Sequence, residues 1–304
     1  MTANPIGNGT IRVPWWSWAN VLSLDAVAIG WMWQWVFTVE FCDRHPTLAE
    51  SGIIVLSIWL VYTADRLFDS LRLDPGRPHT LRHRVHFEFR GVLVAVWIAV
   101  LTFDATLVLR YASGTQLRWG YVAITIVLAY VASVHVARPA RRWIPKEFQA
   151  GMVFALGVSL TSWSQSDAAG VCGLLLSTVM AGTLFAANCL SVACWERECD
   201  CHQGFGSWVT QHPGFPRWLP SALICHLTLA AWLWATEVLP VLIATCLIAS
   251  DGLLLAVLLA SRGHDVAVES RPLSAASANP FGVVADVALV IPPVMWFALG
   301  STLR

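Results

Sequence analysis

The sequence predicts an all-α membrane protein, a polytopic bundle of about nine transmembrane helices forming one domain over residues 1–304. Three observations predict it. Of the residues, 57% are hydrophobic and only 12% charged, about half the charged share of soluble domains. The apolar residues form runs close to the 20 or so needed to cross a bilayer, broken by short polar stretches. Lys and Arg are distributed unevenly between alternate loops, as topology demands of a membrane protein.

The spans fall at 15–38, 50–69, 90–111, 119–137, 148–166, 170–193, 217–238, 239–261 and 280–300. The seventh and eighth meet at Pro240, which predicts a tight helical hairpin. The loops after the second, fourth, sixth and eighth spans hold fourteen Lys and Arg residues, from Arg66 to Arg271. The opposite loops hold three: Arg44, Arg110 and Arg118. This asymmetry places the even-numbered loops and the N-terminus in the cytoplasm. Met1 to Pro14 lacks a basic n-region and an A-x-A site, so the first helix is expected to be retained. The absence of a targeting segment fits a bacterial inner membrane.

Lys+Arg and Asp+Glu balance at 19 each, which excludes a nucleic-acid partner recognised through net positive charge. Disorder, a coiled coil and a disulfide-stapled secreted module are excluded as well. The eight Cys lack a framework spacing and read as small hydrophobes. Cys194, Cys199 and Cys201 with His202 have spacing unlike a structural zinc site.

The chemistry-bearing residues lie at the loop ends of the second and sixth spans. Asp65 and Asp69 are four apart, on one helix face. Two carboxylates that close repel each other unless a cation lies between them, and magnesium favours one or two carboxylates plus phosphate oxygens. The alternative is structural pairing with Arg66 and Arg72. Glu196 and Asp200 repeat the spacing, with Asn188 two turns deeper in the sixth span. Together the pairs would cup one or two divalent ions. Arg77, Arg82 and Arg84 follow the first pair; arginine forks suit phosphate, though positive-inside topology alone also accounts for them. Lys146 opens the fifth span, as a phosphate contact or as a snorkelling interface residue. Asp25 lies within the first apolar run, where a carboxylate is a functional candidate that orients an acceptor or bonds a neighbour such as Asn20. Asp104 and Asp251 share that ambiguity. Seventeen Trp crowd the chain, many in the first span; they belong to an interfacial belt, the packing or a cavity wall.

These residues resemble the UbiA superfamily of intramembrane prenyltransferases. Its first motif is N-x-x-x-D-x-x-x-D; Asp65 and Asp69 match the aspartates, and Val61 stands in place of the asparagine. Its second ends D-x-x-x-D-x-x-x-G, which Glu196, Asp200 and Gly204 follow with Glu for the first Asp. The basic stretch Arg77 to Arg84 resembles the family's R-x-x-R-P region. Lys146, Gln149, Gly151 and Gly157 resemble its fifth-helix segment, and Asp286 with Pro292 its last helix. The resemblance implies nine transmembrane helices and catalytic, Mg²⁺-binding roles for Asp65, Asp69, Glu196 and Asp200. It implies substrate contacts at Arg77, Arg82, Arg84, Lys146, Asn188 and Asp25. The implied reaction transfers a prenyl group from a polyprenyl diphosphate to a lipophilic aromatic or quinone-precursor acceptor, amid membrane lipid. A membrane terpene cyclase or a non-catalytic lipid-binding or transport protein are the alternatives. Charged residues cluster at one membrane face and not at the midplane, which disfavours transport.

Overall fold

The computed structural model describes residues 13–135, 144–167, 170–268, 276–277 and 279–302. Arg138, Arg141, Arg142 and Arg271 of the charge asymmetry lie outside those residues, as do the first twelve of the chain. The architecture is all-α. In chain order the helices are α1 (Trp18–Val21), α2 (Leu24–Cys42), α3 (Leu48–Ser70), α4 (Leu81–Glu88), α5 (Arg90–Tyr111) and α6 (Gly114–His135). They continue with α7 (Lys146–Gln165), α8 (Val171–Gln203), α9 (Trp208–Gln211), α10 (Leu219–Ala235), α11 (Val241–Val268) and α12 (Pro280–Thr302). Two-residue strands β1 (His79–Thr80) and β2 (Ala276–Ser277) pair in parallel.

Each of the nine predicted spans coincides with a long helix, but among the described residues only six helices are long and apolar enough to cross a membrane on their own: α3, α5, α6, α8, α11 and α12. The expectation of nine self-sufficient spans is corrected by the other three. Helix α10 has 17 residues; α7 opens with Lys146 and Glu147 and carries several Ser. Helix α2 includes Asp25, Gln34 and Glu40. The predicted first span is also broken. A 3-10 turn over Trp15–Ser17 and the short α1 precede a left-handed Ser23 at φ 59°, and α2 starts only at Leu24. A positive φ is uncommon for a residue with a Cβ; here the Ser23 hydroxyl accepts a bond from Arg66 Nε at 3.0 Å. The break sets Asp25 in the first turn of α2, where the helix dipole favours a negative charge.

Polar contacts gather the loops at two poles. At one, Glu50 of α3 takes a bidentate bond from Arg44 and another from Gln116 of α6, while Arg44 also reaches Gln165 at the end of α7. At the other, Asp65 of α3 meets His135 of α6, Arg77 meets the end of α8, and β1 pairs with β2 before α12. The described residues flanking the loops after the second, fourth, sixth and eighth predicted spans thus share one pole. The Pro240 hairpin forms between α10 and α11, with Val238 and Leu239 N–H both donating to the Leu233 carbonyl.

Helix α8 is the centre of the bundle, packed by α7 along much of its length. Gly151 makes that approach possible: a Cβ there would lie 2.4 Å from Ala186 N and 2.5 Å from Gly182 O, both backbone atoms. Four tryptophans bridge helices through their indole N–H: Trp33 to Leu289 O, Trp59 to Leu22 O, Trp97 to Leu60 O and Trp195 to Ser261 Oγ. In hydrocarbon each such donor requires a protein partner. Helices α5 and α6 turn most of their apolar surface outward.

Candidate functional site

Periodicity carries Asp65 and Asp69 on consecutive turns at the end of α3. Asp65 accepts a bond from His135 Nε2 at 3.0 Å. Asp69 lies 3.9 Å from His83 Nε2, beyond hydrogen-bond range. Burial, aided by the charge of Arg82, holds the His83 imidazole well below its usual pKa and so neutral. Helix α8 overshoots the bilayer thickness, and its last turns bring Glu196 and Asp200 to the same pole. Asp69 and Asp200 are close enough for their charges to act on one another, and Lys146 lies within electrostatic reach of Asp65, Asp69 and Asp200. Three of the four acids, Asp65, Asp69 and Asp200, thus lie within electrostatic range of one ammonium group, while Glu196 pairs with Arg82.

Arg82, carried by α4, forms an ion pair with Glu196. Its Nε is buried without a partner, an unspent donor beside the acidic cluster. The other two arginines of the stretch do not join it. Arg77 pairs with Asp74 at 3.0 Å and donates to the His202 carbonyl, pinning the loop to the end of α8. Arg84 pairs with Glu88 at 2.8 Å along α4 itself. On α4, residues 82 and 84 are about 200° apart and face different ways.

Asp25 and Asn188 belong to a second, connected network. Asn20 Nδ2 donates to Asp25 at 2.7 Å and Asn188 Nδ2 to Asp286 at 2.8 Å. The Asp25 and Asp286 carboxyls lie close enough to act on one another. Asp104 and Asp251 are taken up elsewhere, Asp104 by Ser57 at 2.9 Å and Asp251 by His226 at 2.7 Å. Val61, where the resemblance expects an asparagine, is half-buried one turn before Asp65.

Sequence reasoning missed His135, His83 and the pairing of Asp25 with Asp286. His135 carried one signal: it is a polar residue closing an apolar run at the pole of the basic loops. Glu147 was missed too; it is buried and accepts from Trp208 N–H, capping α9.

Among the described residues, no three His, Cys, Asp or Glu side chains are grouped to hold a metal ion by themselves. Magnesium coordinated through one or two carboxylates, waters and phosphate oxygens needs no such trio. The converging carboxylates with Lys146 and the free Arg82 Nε fit that mode, in which the ion arrives with a phosphate ligand. Comparison with protein-family models, curated proteins and solved structures returned no match.

Proposed function

We propose that the protein transfers a prenyl group from a polyprenyl diphosphate to a lipophilic aromatic or quinone-precursor acceptor, inside the membrane and with Mg²⁺. The supporting observation is the convergence of Asp65, Asp69 and Asp200 around Lys146, beside the unpartnered Arg82 Nε. In this reading one or two of the aspartates hold magnesium together with the diphosphate, and the ion neutralises charge on the departing group. Lys146 supplies a point charge and Arg82 a directed N–H donor to phosphate oxygen. Glu196, already matched by Arg82, orients that guanidinium. All nine long helices are placed across the bilayer in this reading, with the acidic pole cytoplasmic and the bacterial inner membrane as host.

The test is equilibrium binding of geranylgeranyl diphosphate to the detergent-purified protein. Binding that requires both Mg²⁺ and Asp65, lost in Asp65→Asn, supports the site. Failure to bind any prenyl diphosphate rejects it.

A further inference from the structure

Each aspartate of the α3 pair faces an imidazole, but the two contacts differ. His135 Nε2 donates to Asp65 at 3.0 Å, an ordinary hydrogen bond. His83 Nε2 lies 3.9 Å from Asp69 Oδ2, and no hydrogen bond joins them. That gap is also tight for a bridging water, since two bonds of about 2.8 Å meeting near the tetrahedral angle span about 4.5 Å. Two ligands of one metal ion, each about 2.1 Å from it, lie about 3.0 Å apart at right angles and about 3.4 Å apart at the tetrahedral angle. The 3.9 Å separation exceeds the second value by about 0.5 Å, which a small rotation of the Asp69 carboxylate closes.

The His83 ring is held for such a role. Its side chain is 5% exposed, and Phe205 packs edge-on against it with ring centroids 5.3 Å apart. Thr80 Oγ1 lies 2.9 Å from His83 Nδ1. With Thr80 accepting the Nδ1 proton, the Nε2 lone pair is left for an ion beside Asp69. Metal-bound imidazoles characteristically donate their second N–H to a neighbouring oxygen in this way. Among the described residues, Nε2 has no hydrogen-bond partner of its own. His135 differs: its Nε2 is spent on orienting the Asp65 carboxylate.

We infer that His83 Nε2 and Asp69 Oδ2 are two ligands of one divalent ion, and that the nitrogen makes the site prefer a first-row transition ion to Mg²⁺. Imidazole binds transition ions, whereas Mg²⁺ selects oxygen ligands. Two protein ligands suffice where phosphate oxygens and water complete the shell. The inference deepens the prenyl-transfer reading and rests on it for those remaining ligands. Mn²⁺ is the most stringent probe, because it shares the affinity of Mg²⁺ for carboxylate and binds most weakly of its series.

The probe is Mn²⁺ loaded with inorganic pyrophosphate, because Lys146 places a positive charge near Asp69 that an accompanying anion offsets. Electron spin-echo envelope modulation of Mn²⁺ on the full-length protein in detergent reads nitrogen ligands directly. The wild type is expected to show ¹⁴N modulation that turns to the ¹⁵N pattern when only its histidines carry ¹⁵N. His83→Gln is expected to lose this signal. In competition titrations the same change should lower Mn²⁺ affinity about tenfold or more, and Mg²⁺ affinity by less than about threefold. Bound Mn²⁺ without a histidine signal in the wild type overturns the inference without recourse to any variant. Failure to bind Mn²⁺ with pyrophosphate overturns it as well, as does a signal that survives in His83→Gln or an equal loss of affinity for both ions. Geranylgeranyl diphosphate binding, measured with Mg²⁺ on the same preparation, separates the two readings. If it persists while the histidine signal is absent, the nitrogen ligand falls alone. If the histidine signal is present and no prenyl diphosphate binds, prenyl transfer falls and the His83–Asp69 ion site stands.

Discussion

Asp200 reaches Asp69 and Lys146 from a different helix, whereas Arg77 and Arg84 are spent on Asp74 and Glu88. The two classes of residue should therefore separate on substitution. Asp69→Asn and Asp200→Asn are each expected to weaken Mg²⁺-dependent diphosphate binding about 10- to 100-fold. Arg77→Ala and Arg84→Ala are expected to leave it within about twofold, since exposed ion pairs contribute little. Titration of the four purified variants checks the contrast. His86 gives a second prediction. It is 1% exposed, donates Nδ1–H to the Arg82 carbonyl, and burial lowers its pKa to about 4 from an ordinary 6.5. The unfolded chain takes up this proton more readily, so the contribution is complete above pH 6.5 and is lost as pH falls toward 4. Thermal unfolding should show a smaller drop in Tm between pH 7 and 5 for His86→Gln than for the wild type. The acidic pairs were legible because i, i+4 spacing survives into any helix. Which of three nearby arginines turns toward Glu196 was not, because that depends on where α4 docks. His135 and Asp286 contact residues 70 and 98 positions away, beyond any local pattern.

At the scale of the element, the fit of α7 against α8 depends on Gly151. Its would-be Cβ meets backbone atoms, which cannot turn aside; at Gly182 the nearest atom is the flexible Met152 Sδ at 2.4 Å. Gly151→Ala is thus expected to cost about 1–3 kcal/mol and Gly182→Ala distinctly less, read from denaturation in a mild detergent. Because Lys146 lies only five residues before Gly151, the same Gly151→Ala change should also weaken diphosphate binding. Helix positions were readable from apolar run length, but the break at Ser23 was not. Nothing local in Leu-Ser-Leu-Asp announces a left-handed serine; it is held by Arg66, more than forty residues on.

Over the whole molecule, α8 runs 33 residues, about 50 Å, which exceeds the roughly 30 Å hydrocarbon core. Exposed cysteines mark both of its ends, Cys172 and Cys201. Variants retaining one cysteine each should react with an impermeant maleimide from opposite sides of a sealed vesicle, Cys201 from the side of the basic loops. Labelling of both from one side would reject a crossing by α8.

The bond from the Trp33 indole to the Leu289 carbonyl joins the earliest long helix to the last, across 256 residues of chain. A ribosome adding about 5–20 residues per second takes on the order of 10–50 s to supply that distance. With α2 placed across the bilayer as proposed, it waits throughout that interval with its indole donor unmatched and one flank open to lipid. The seam between α2 and α12 therefore closes only with the last helix, together with those of α12 on α8 and α11. A chain that stalls before α12 is left as an open-sided bundle, presenting to membrane quality control a polar donor that the finished protein conceals.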